Sequence, residues 1–464
     1  MASTYLTRTP GSAGNRKTWT FSAWVKRSTT SDNAVGYDSI FSTNISNEGI
    51  NIAFGNGAFT ADGDYFEVTH AAAAGGGTTD WSVRTNQLFR DVSGWYHLVV
   101  AFDTTQSTTA DRVKLYVNGS EVDKTVTTGP ALNTDYEINN TQQHTIGRWQ
   151  RDGNSYFDGS MAHVHFIDGT AYDASAFGET DSTTSIWKPK LAPSVTYGTN
   201  GFFLKFASSG SMGTDSSGNG NNFTVGAGNL TQTQDTPSNV FATFNPLARN
   251  NGNTYTNGNT VYDYSNNYQK AGIGSQTFSS GKWYAEFKKN GSEMPHYGIA
   301  GDTYHSDGRT VTDTSGSWTY DIKGHTGTVV LQIDGSGTRN IWADGSDTGT
   351  DTDFYAGTGD IIMIAFDSDT GKIWFGKNGT WSNSGNPATG SNPTYTYSGS
   401  ATKDFTFAVS TENSSSISAN FGNGYFGTTA VSSANSDGDG IGLFEYEVPS
   451  GYYALCTKNI NTYG

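Results

Sequence analysis

The chain has 464 residues, a formal net charge of −16 and an isoelectric point of about 4.8. That length exceeds one small core and fits two domains. So acidic a chain repels nucleic acid and anionic membrane surfaces, no Lys/Arg stripe overrides the repulsion, and no apolar run approaches the length of a membrane span. Nucleic-acid binding and membrane insertion are therefore set aside.

Aromatic residues make up 13% of the chain although hydrophobic residues are only 34%. Disordered chains are poor in aromatics, so this pairing points to many short strands packed on Trp, Tyr and Phe. The abundance of Gly, Asn, Ser, Thr and Asp suits strand faces and turns, and no stretch has sustained helical or heptad periodicity. Cys456 is the sole cysteine, which excludes an intrachain disulfide. The opening MASTYLTRTPGSAGNRK lacks the apolar centre of a signal peptide, so the expectation is synthesis in a host cytoplasm and exposure only after lysis, with export by a route that needs no N-terminal signal as the alternative.

In chain order, Trp19–Arg27 places Trp19, Phe21, Ala23 and Val25 on one face at period two, a half-buried strand. Ile40–Ser42, Ile50–Phe54, Tyr65–Thr69 and Trp81–Arg84 read as further strands, with Ala71–Thr79 (AAAAGGGTT) as a surface loop. Leu98–Asp103 (LVVAFD), Arg112–Val117, the turn Asn118-Gly119 and Ser120–Lys124 form a meander, because Asn-Gly accepts the positive φ of a type I′ hairpin. Thr145–Trp149, Tyr156–Ser160 and Met161–Gly169 continue the strands, and Ala174–Glu179 reads as one helical turn. Gly201–Phe206 returns a strand to this first domain. Residues 208–247 are rich in Gly, Asn and Pro and read as a connector without a core.

The second half opens near Ala248. Gly281–Phe287 (GKWYAEF) alternates Trp283, Ala285 and Phe287, and Tyr297–Ala300 and Thr328–Ile333 follow. Gly359–Trp381 (GDIIMIAFDSDTGKIWFGKNGTW) repeats the plan of strand, turn, strand, Asn-Gly turn. Phe405–Ser410 and Ile417–Phe421 complete the set, and 449–464 is read as a tail. The fold class expected is all-β, two antiparallel β-sandwiches in tandem, with bounds 1–207, 208–247, 248–448 and 449–464.

Several of these stretches resemble known families. FSAWVKR (21–27), GWYHLVVAFD (94–103), VKLYVNG (113–119), TIGRW (145–149) and FDGSMAHVHFIDG (157–169) resemble, in order and spacing, the laminin-G-like, concanavalin A-like jelly-roll family. That resemblance implies a sandwich of two antiparallel sheets, often a glycan or receptor binder, with calcium in some members. GKWYAEF, the 359–381 meander and SISANFGNGYF (416–426) resemble the SPRY family, a β-sandwich that binds proteins through its loops. The pairing, with FGETDSTTSIWKP (177–189) and DTPSNVFATFNPL (235–247), looks like proteins of marine tailed phages, usually taken as virion or fibre components. The end, VPSGYYALCTKNINTYG (448–464), resembles the junction where such chains continue.

Candidate sites follow from residue types. Retaining glycoside hydrolysis needs two carboxyls about 5–5.5 Å apart. Glucanases of this fold carry them as a Glu-x-Asp-x-Glu cluster, which is missing here; Glu445-Tyr446-Glu447 is the nearest approach and reads as a solvated edge. No catalytic residue is assigned. His163 and His165, two apart on one strand, face one side but lack a third ligand nearby, so an outward-facing pair is expected. Asn435, Asp437 and Asp439 match positions one, three and five of a calcium loop, yet Tyr446 stands where Glu should close it, so the expectation is a solvated loop ahead of a weak Ca2+ site. Asp344, Asp347, Asp351 and Asp353 form a second acidic loop read the same way. Trp81, Trp149, Tyr156, Trp318, Trp342 and Trp381 lie in or beside predicted loops, where flat rings can stack on sugars.

The resulting reading is a non-enzymatic virion-surface protein, with other virion proteins and host surface glycan as partners, no obligatory cofactor, and a homo-oligomeric assembly. A purely structural connector, with no host ligand, is the alternative; a glycosidase is the third reading.

Overall fold

The computed structural model describes residues 4–30, 37–43, 48–55, 63–71, 79–151, 155–247, 253–264, 270–291, 294–301, 322–333, 339–399, 404–411 and 415–464. The chain divides into two compact units, Met1–Gln232 and Thr233–Gly464. Both are built from antiparallel sheets, as the sequence led one to expect.

The first unit contains β1 (Tyr5–Arg8), β2 (Thr18–Arg27), β3 (Asp38–Thr43), β4 (Gly49–Phe54), β5 (Tyr65–Ala71), β6 (Thr79–Leu88), β7 (Tyr96–Asp103), β8 (Val113–Val117), β9 (Ser120–Glu121), β10 (Lys124–Thr127), β11 (His144–Ile146), β12 (Gly159–Asp168), β13 (Gly178–Thr180), β14 (Trp187–Pro189), β15 (Phe202–Leu204) and β16 (Thr224–Ala227). One sheet runs β10-β6-β5-β4-β3-β11-β1-β16 and the other β15-β12-β2-β7-β8-β9. Their inner faces enclose the core. Trp19 stacks on Phe102 with ring centroids 4.5 Å apart, and Phe21 stacks on Phe41 at 4.9 Å. Asn118 and Gly119 hold positive φ (46° and 91°), as the hairpin turn requires.

The strand β2 is not half-buried. Thr20, Ser22, Trp24 and Lys26, on the face away from the core, are buried as well. The segment from Thr170 to Tyr197 covers that face, starting with a 3-10 turn at Ala174–Ala176 and continuing through β13 and β14. Ala174 and Phe177 pack on Val99 and Ile167. Polar contacts pin it: Thr20 Oγ1 donates to the Thr170 carbonyl at 2.7 Å, and the Trp187 indole donates to His97 Nδ1 at 3.0 Å. An indole only donates, so His97 Nδ1 accepts, and Nε2–H faces Ser22 Oγ at 2.9 Å.

The strand β12 carries a bulge between Ala162 and His165, with His163 at φ 47°. His163 and His165 share this outer face, their rings 6.5 Å apart. Contrary to expectation His165 is not outward in water: it is buried, stacked on Phe203 at 3.9 Å, with Nδ1 2.9 Å from the Tyr197 hydroxyl.

Among the described residues the second unit contains β17 (Asn253–Thr256), β18 (Val261–Tyr264), β19 (Lys270–Ile273), β20 (Lys282–Lys289), β21 (His296–Ala300), β22 (Thr328–Gln332), β23 (Asn340–Ala343), β24 (Ser346–Asp351), β25 (Ile361–Asp367), β26 (Lys372–Lys377), β27 (Thr380–Trp381), β28 (Tyr395–Thr396), β29 (Thr406–Thr411), β30 (Ser415–Asn420), β31 (Tyr425–Phe426), β32 (Thr429–Ala430), β33 (Tyr453–Ala454) and one α-helix, α1 (Thr457–Tyr463). One sheet is ordered β17-β18-β30-β20-β25-β26-β27, with β28 on β26 and β33 parallel to β20. The other is β19-β29-β21-β22-β23-β24. Ile362, Ile364 and Phe366 of β25 point into the core between them, while Met363 and Ala365 are buried on the far side against Phe444, Tyr452 and Cys456.

Two expected boundaries change. Residues 208–247 are not a free connector. Phe223 joins the first core and β16 pairs with β1, whereas Phe241 and Phe244 are buried in the second unit. Composition hid this because the DSSGNGNN loop is ordered by a carboxylate rather than by apolar groups. Asp215 accepts from the backbone N–H of Phe203, Ser217 and Asn221 and from the Ser217 hydroxyl, at 2.8–2.9 Å. Nor is 449–464 a tail: Tyr452, Ala454, Leu455 and Cys456 are buried, and an isolated bridge joins Phe241 to Cys456.

Two buried acids hold this C-terminal covering. Glu286, on the outward side of β20, accepts from the backbone N–H of Glu445 and Tyr446, from the Tyr284 hydroxyl and from Asn420 Nδ2, at 2.8–3.1 Å. Burial pushes its carboxyl up to about 7 against the pull of those donors. Asp437 accepts from the N–H of Asp439, Ile441 and Ala454 and from Asn459 Nδ2, at 2.8–3.1 Å.

Replacing Asp437 by Ala strands these donors and is expected to cost roughly 3 kcal/mol of stability. An unchanged urea midpoint of the full chain would show that Asp437 does not hold the covering.

A second prediction concerns pH. Burial holds His97 down to about 3 and His144 to about 4, and keeps His165 well below its ordinary value. Groups depressed in this way stabilise fully above their unfolded value of about 6.5 and lose that contribution as pH falls toward 4. The first unit's stability, and with it the melting temperature, is therefore expected to fall between pH 6.5 and 4, by up to about 1.4 kcal/mol per pH unit for each of these histidines, offset in part by Asp38 and Glu67, whose carboxyls burial raises to about 6 and about 7. A flat calorimetric profile over that window would contradict it.

Candidate ligand-binding site

The aromatic residues expected at loop rims separate into three groups. Trp318, like the 72–78 part of the AAAAGGGTT loop, lies outside the described residues. Trp81 and Trp149 are buried, at 1% and 7% exposure, and present no face to a ligand. For Trp81 the reason is phase: β6 begins at Thr79, so Trp81 and Val83 alternate into the core, a period visible in the sequence. Trp149 packs edge-on against Tyr37 at 5.1 Å, with the Arg151 guanidinium over its ring.

Tyr156, Trp342 and Trp381 are half-buried. Trp342 leans on the outer face of β22 near Ala300, Ile322 and Val330, with the Lys323 ammonium 4.8 Å from its ring centroid. Trp381 meets Tyr284 edge-on at 6.3 Å beside the C-terminal covering. These two rings sit on different sheets and are not brought together as one site.

Tyr156 is different, because the fold assembles partners around it. An isolated bridge pairs it with Arg148, directly after β11. The Arg148 guanidinium lies 4.8 Å from the Tyr5 ring centroid and 5.5 Å from that of Tyr156, and the two rings are 6.2 Å apart. Gly147, at φ 85°, makes the turn; a Cβ there would come within 3.3 Å of the Thr4 carbonyl. Below the site the Arg148 carbonyl accepts from Ser42 Oγ at 2.8 Å and Thr145 Oγ1 at 2.7 Å. The backbone is thus fixed, while Arg148 Nε is enclosed without a hydrogen-bond partner.

Two rings flanking a guanidinium provide flat faces and N–H donors, the combination that stacks on and hydrogen-bonds a polyhydroxylated ring. Cation–π contact at such a half-exposed position is worth about 0.5–1 kcal/mol, enough to hold the rings in place. Sequence reading found Tyr156 but missed Tyr5 and Arg148, because only the β1–β11 pairing brings them together.

The calcium reading of 435–440 is corrected. Both oxygens of Asp437 already face N–H donors, Asp439 Oδ2 accepts from the Tyr463 hydroxyl at 2.7 Å, and Asn435 donates to the Glu445 carbonyl at 2.9 Å. A centre ringed by donors repels a cation. In the other acidic loop, Asp344 accepts from Gly327 N–H and the Tyr397 hydroxyl, Asp347 from Asn340, and Asp353 from Asn383 N–H. Among the described residues none of these, nor Asp351, joins a group of three potential metal ligands. Glu445 is bound to the Ser432 backbone and hydroxyl, and Glu447 is exposed. They lie in an irregular segment rather than on the edge strand expected.

Residues 2–176 match a family described as the concanavalin A-like lectin/glucanases superfamily. No curated protein matches the chain. Similar solved structures include the SPRY domain of human HERC1, 14% identical with a TM-score of 0.28, covering 38% of this chain and 96% of that one. The TRIM65 PSpry domain is 13% identical with a TM-score of 0.29, covering 39% and 88%. A native heptameric SAP-like pentraxin from Limulus polyphemus is 14% identical with a TM-score of 0.26, covering 36% and 71%. The described chain is nearly all β, and residues 2–176 are similar to that superfamily.

Proposed function

We propose that the chain is a non-enzymatic adhesion protein of a phage particle, a fibre, tail-associated or capsid-decorating subunit, whose first unit grips host surface glycan. The observation that carries the glycan reading is the Tyr5–Arg148–Tyr156 cluster on a sandwich matching a lectin and glucanase superfamily. The phage placement rests on the sequence pairing of laminin-G-like and SPRY-like stretches. The non-enzymatic reading rests on the sequence, in which the Glu-x-Asp-x-Glu cluster of glucanases of this fold is missing.

The mechanism would be multivalent. One aromatic platform binds a sugar weakly, and a homo-oligomer on the virion surface, beside other virion proteins, repeats the contact and gains avidity without new contacts.

A purely structural role is the second reading. It is favoured by GKWYAEF and the Asn420-Phe421-Gly422 stretch, which resemble modules that bind proteins.

Glycan-array binding by the full chain decides between them. The adhesion reading expects signal that falls at least tenfold in a Tyr5→Ala, Tyr156→Ala double variant. Silence across host-type glycans leaves the connector. Electron density for this chain is expected on the surface of purified virions, and its absence there would reject the placement.

A further inference from the structure

At one end of the first sandwich lies a cluster that the adhesion reading does not use. His70 of β5 stands opposite Ile50 of β4 and Trp81 of β6. Its ring is 3% exposed, stacked on Trp81 at 5.6 Å and edge-on to Tyr136 at 4.9 Å, so its orientation is fixed by packing. Nε2 lies 3.1 Å from Glu137 Oε2 and 3.9 Å from Glu48 Oε1. All three ligand atoms lie within 4.8 Å of one another.

Three features distinguish this cluster from an ordinary ion pair. First, His70 Nε2 and Glu137 Oε2 are both buried and 3.1 Å apart, with no other protein group hydrogen-bonded to either atom. Second, the other ring nitrogen, Nδ1, is 3.2 Å from the Asp80 carboxylate. A histidine that gives Nδ1–H to a carboxylate turns a bare Nε2 lone pair to the other side, the arrangement that orients an imidazole toward a metal. Third, three carboxylates, those of Asp80, Glu137 and Glu48, converge on one imidazole, whose pKa is raised against the pull of burial, so the site carries more negative charge than even a protonated ring would balance. In a tetrahedral site with bonds of about 2.0–2.1 Å, neighbouring ligand atoms sit about 3.3 Å apart, close to the 3.1 Å between His70 Nε2 and Glu137 Oε2, while Glu48, at 3.9 Å from Nε2, would have to close in.

The loop carrying Glu137 is already braced: the Glu137 carbonyl accepts from Gln142 Nε2 at 3.0 Å, and Arg16 Nε donates to the Tyr136 carbonyl at 2.5 Å.

We propose that Glu48, His70 and Glu137 bind a divalent first-row transition-metal ion of the Zn2+ type, with Asp80 orienting the imidazole. One nitrogen and two carboxylate oxygens suit Zn2+, whereas Ca2+ takes six to eight oxygens. Three protein ligands leave a position open, and Glu48, 41% exposed at its side chain, places it toward solvent. The ion would tie the loop bearing Glu137 to β4 and β5.

The test uses the full chain, stripped with a chelator, dialysed, and titrated with ZnCl2 by calorimetry. One equivalent is expected to bind and raise the melting temperature, and Co2+ is expected to give the visible absorption of a tetrahedral N,O site. Asp80→Asn is expected to weaken binding about 10–100-fold. Glu48→Gln, at an exposed side chain, is expected to weaken it at least tenfold and keeps the test usable if His70→Gln fails to fold. No heat from Zn2+ or Co2+, equal binding in wild type and Glu48→Gln, or binding of Ca2+ in preference to Zn2+ would each overturn the proposal.

Discussion

Both halves of the molecule depend on covering the outer face of a sheet, and the covering is held by buried polar groups. A two-layer sandwich needs only its inner faces to be apolar. Here β2 and β25 are buried on both sides, because an irregular segment lies across the back of each sheet. In the first unit the pins are Thr20 and His97; in the second they are Glu286 and Asp437. Each buried polar atom must find a partner, so the irregular segment has only one low-energy position. The sheets are thereby stiffened.

Much of this architecture was legible in the sequence. Alternation gave β2 and β20, and Asn-Gly marked the turns at Asn118-Gly119 and Asn378-Gly379, where both residues hold positive φ. What could not be read were the coverings, because they are neither periodic nor strongly apolar. Residues 208–247 and 449–464 looked like linker and tail for that reason, though Phe223, Phe244 and Tyr452 are buried within cores. Their order comes from Asp215, Asp437 and Glu286, each collecting donors from scattered positions, and spacing along the chain does not reveal such convergence.

The candidate sites show the same limit. Aromatic residues near loops were easy to find, but burial depends on strand phase: Trp81 falls in register with Val83 and is lost to the core. Tyr156 gains significance only beside Tyr5 and Arg148, more than 140 residues apart at the extremes. The acidic loop at 435–440 had the right letters for calcium and the wrong surroundings, since its oxygens meet N–H groups. Glu48, His70 and Glu137 carry no motif; adjacent strands and one loop unite them.

The junction of Phe241 with Cys456 has a mechanical meaning. Ala242 N–H bonds to the Leu455 carbonyl and Thr457 N–H to the Val240 carbonyl, both at 2.9 Å, so the segments entering and leaving the second unit run side by side. Tension applied through the chain would load this short ladder and bypass the stacked sheets behind it.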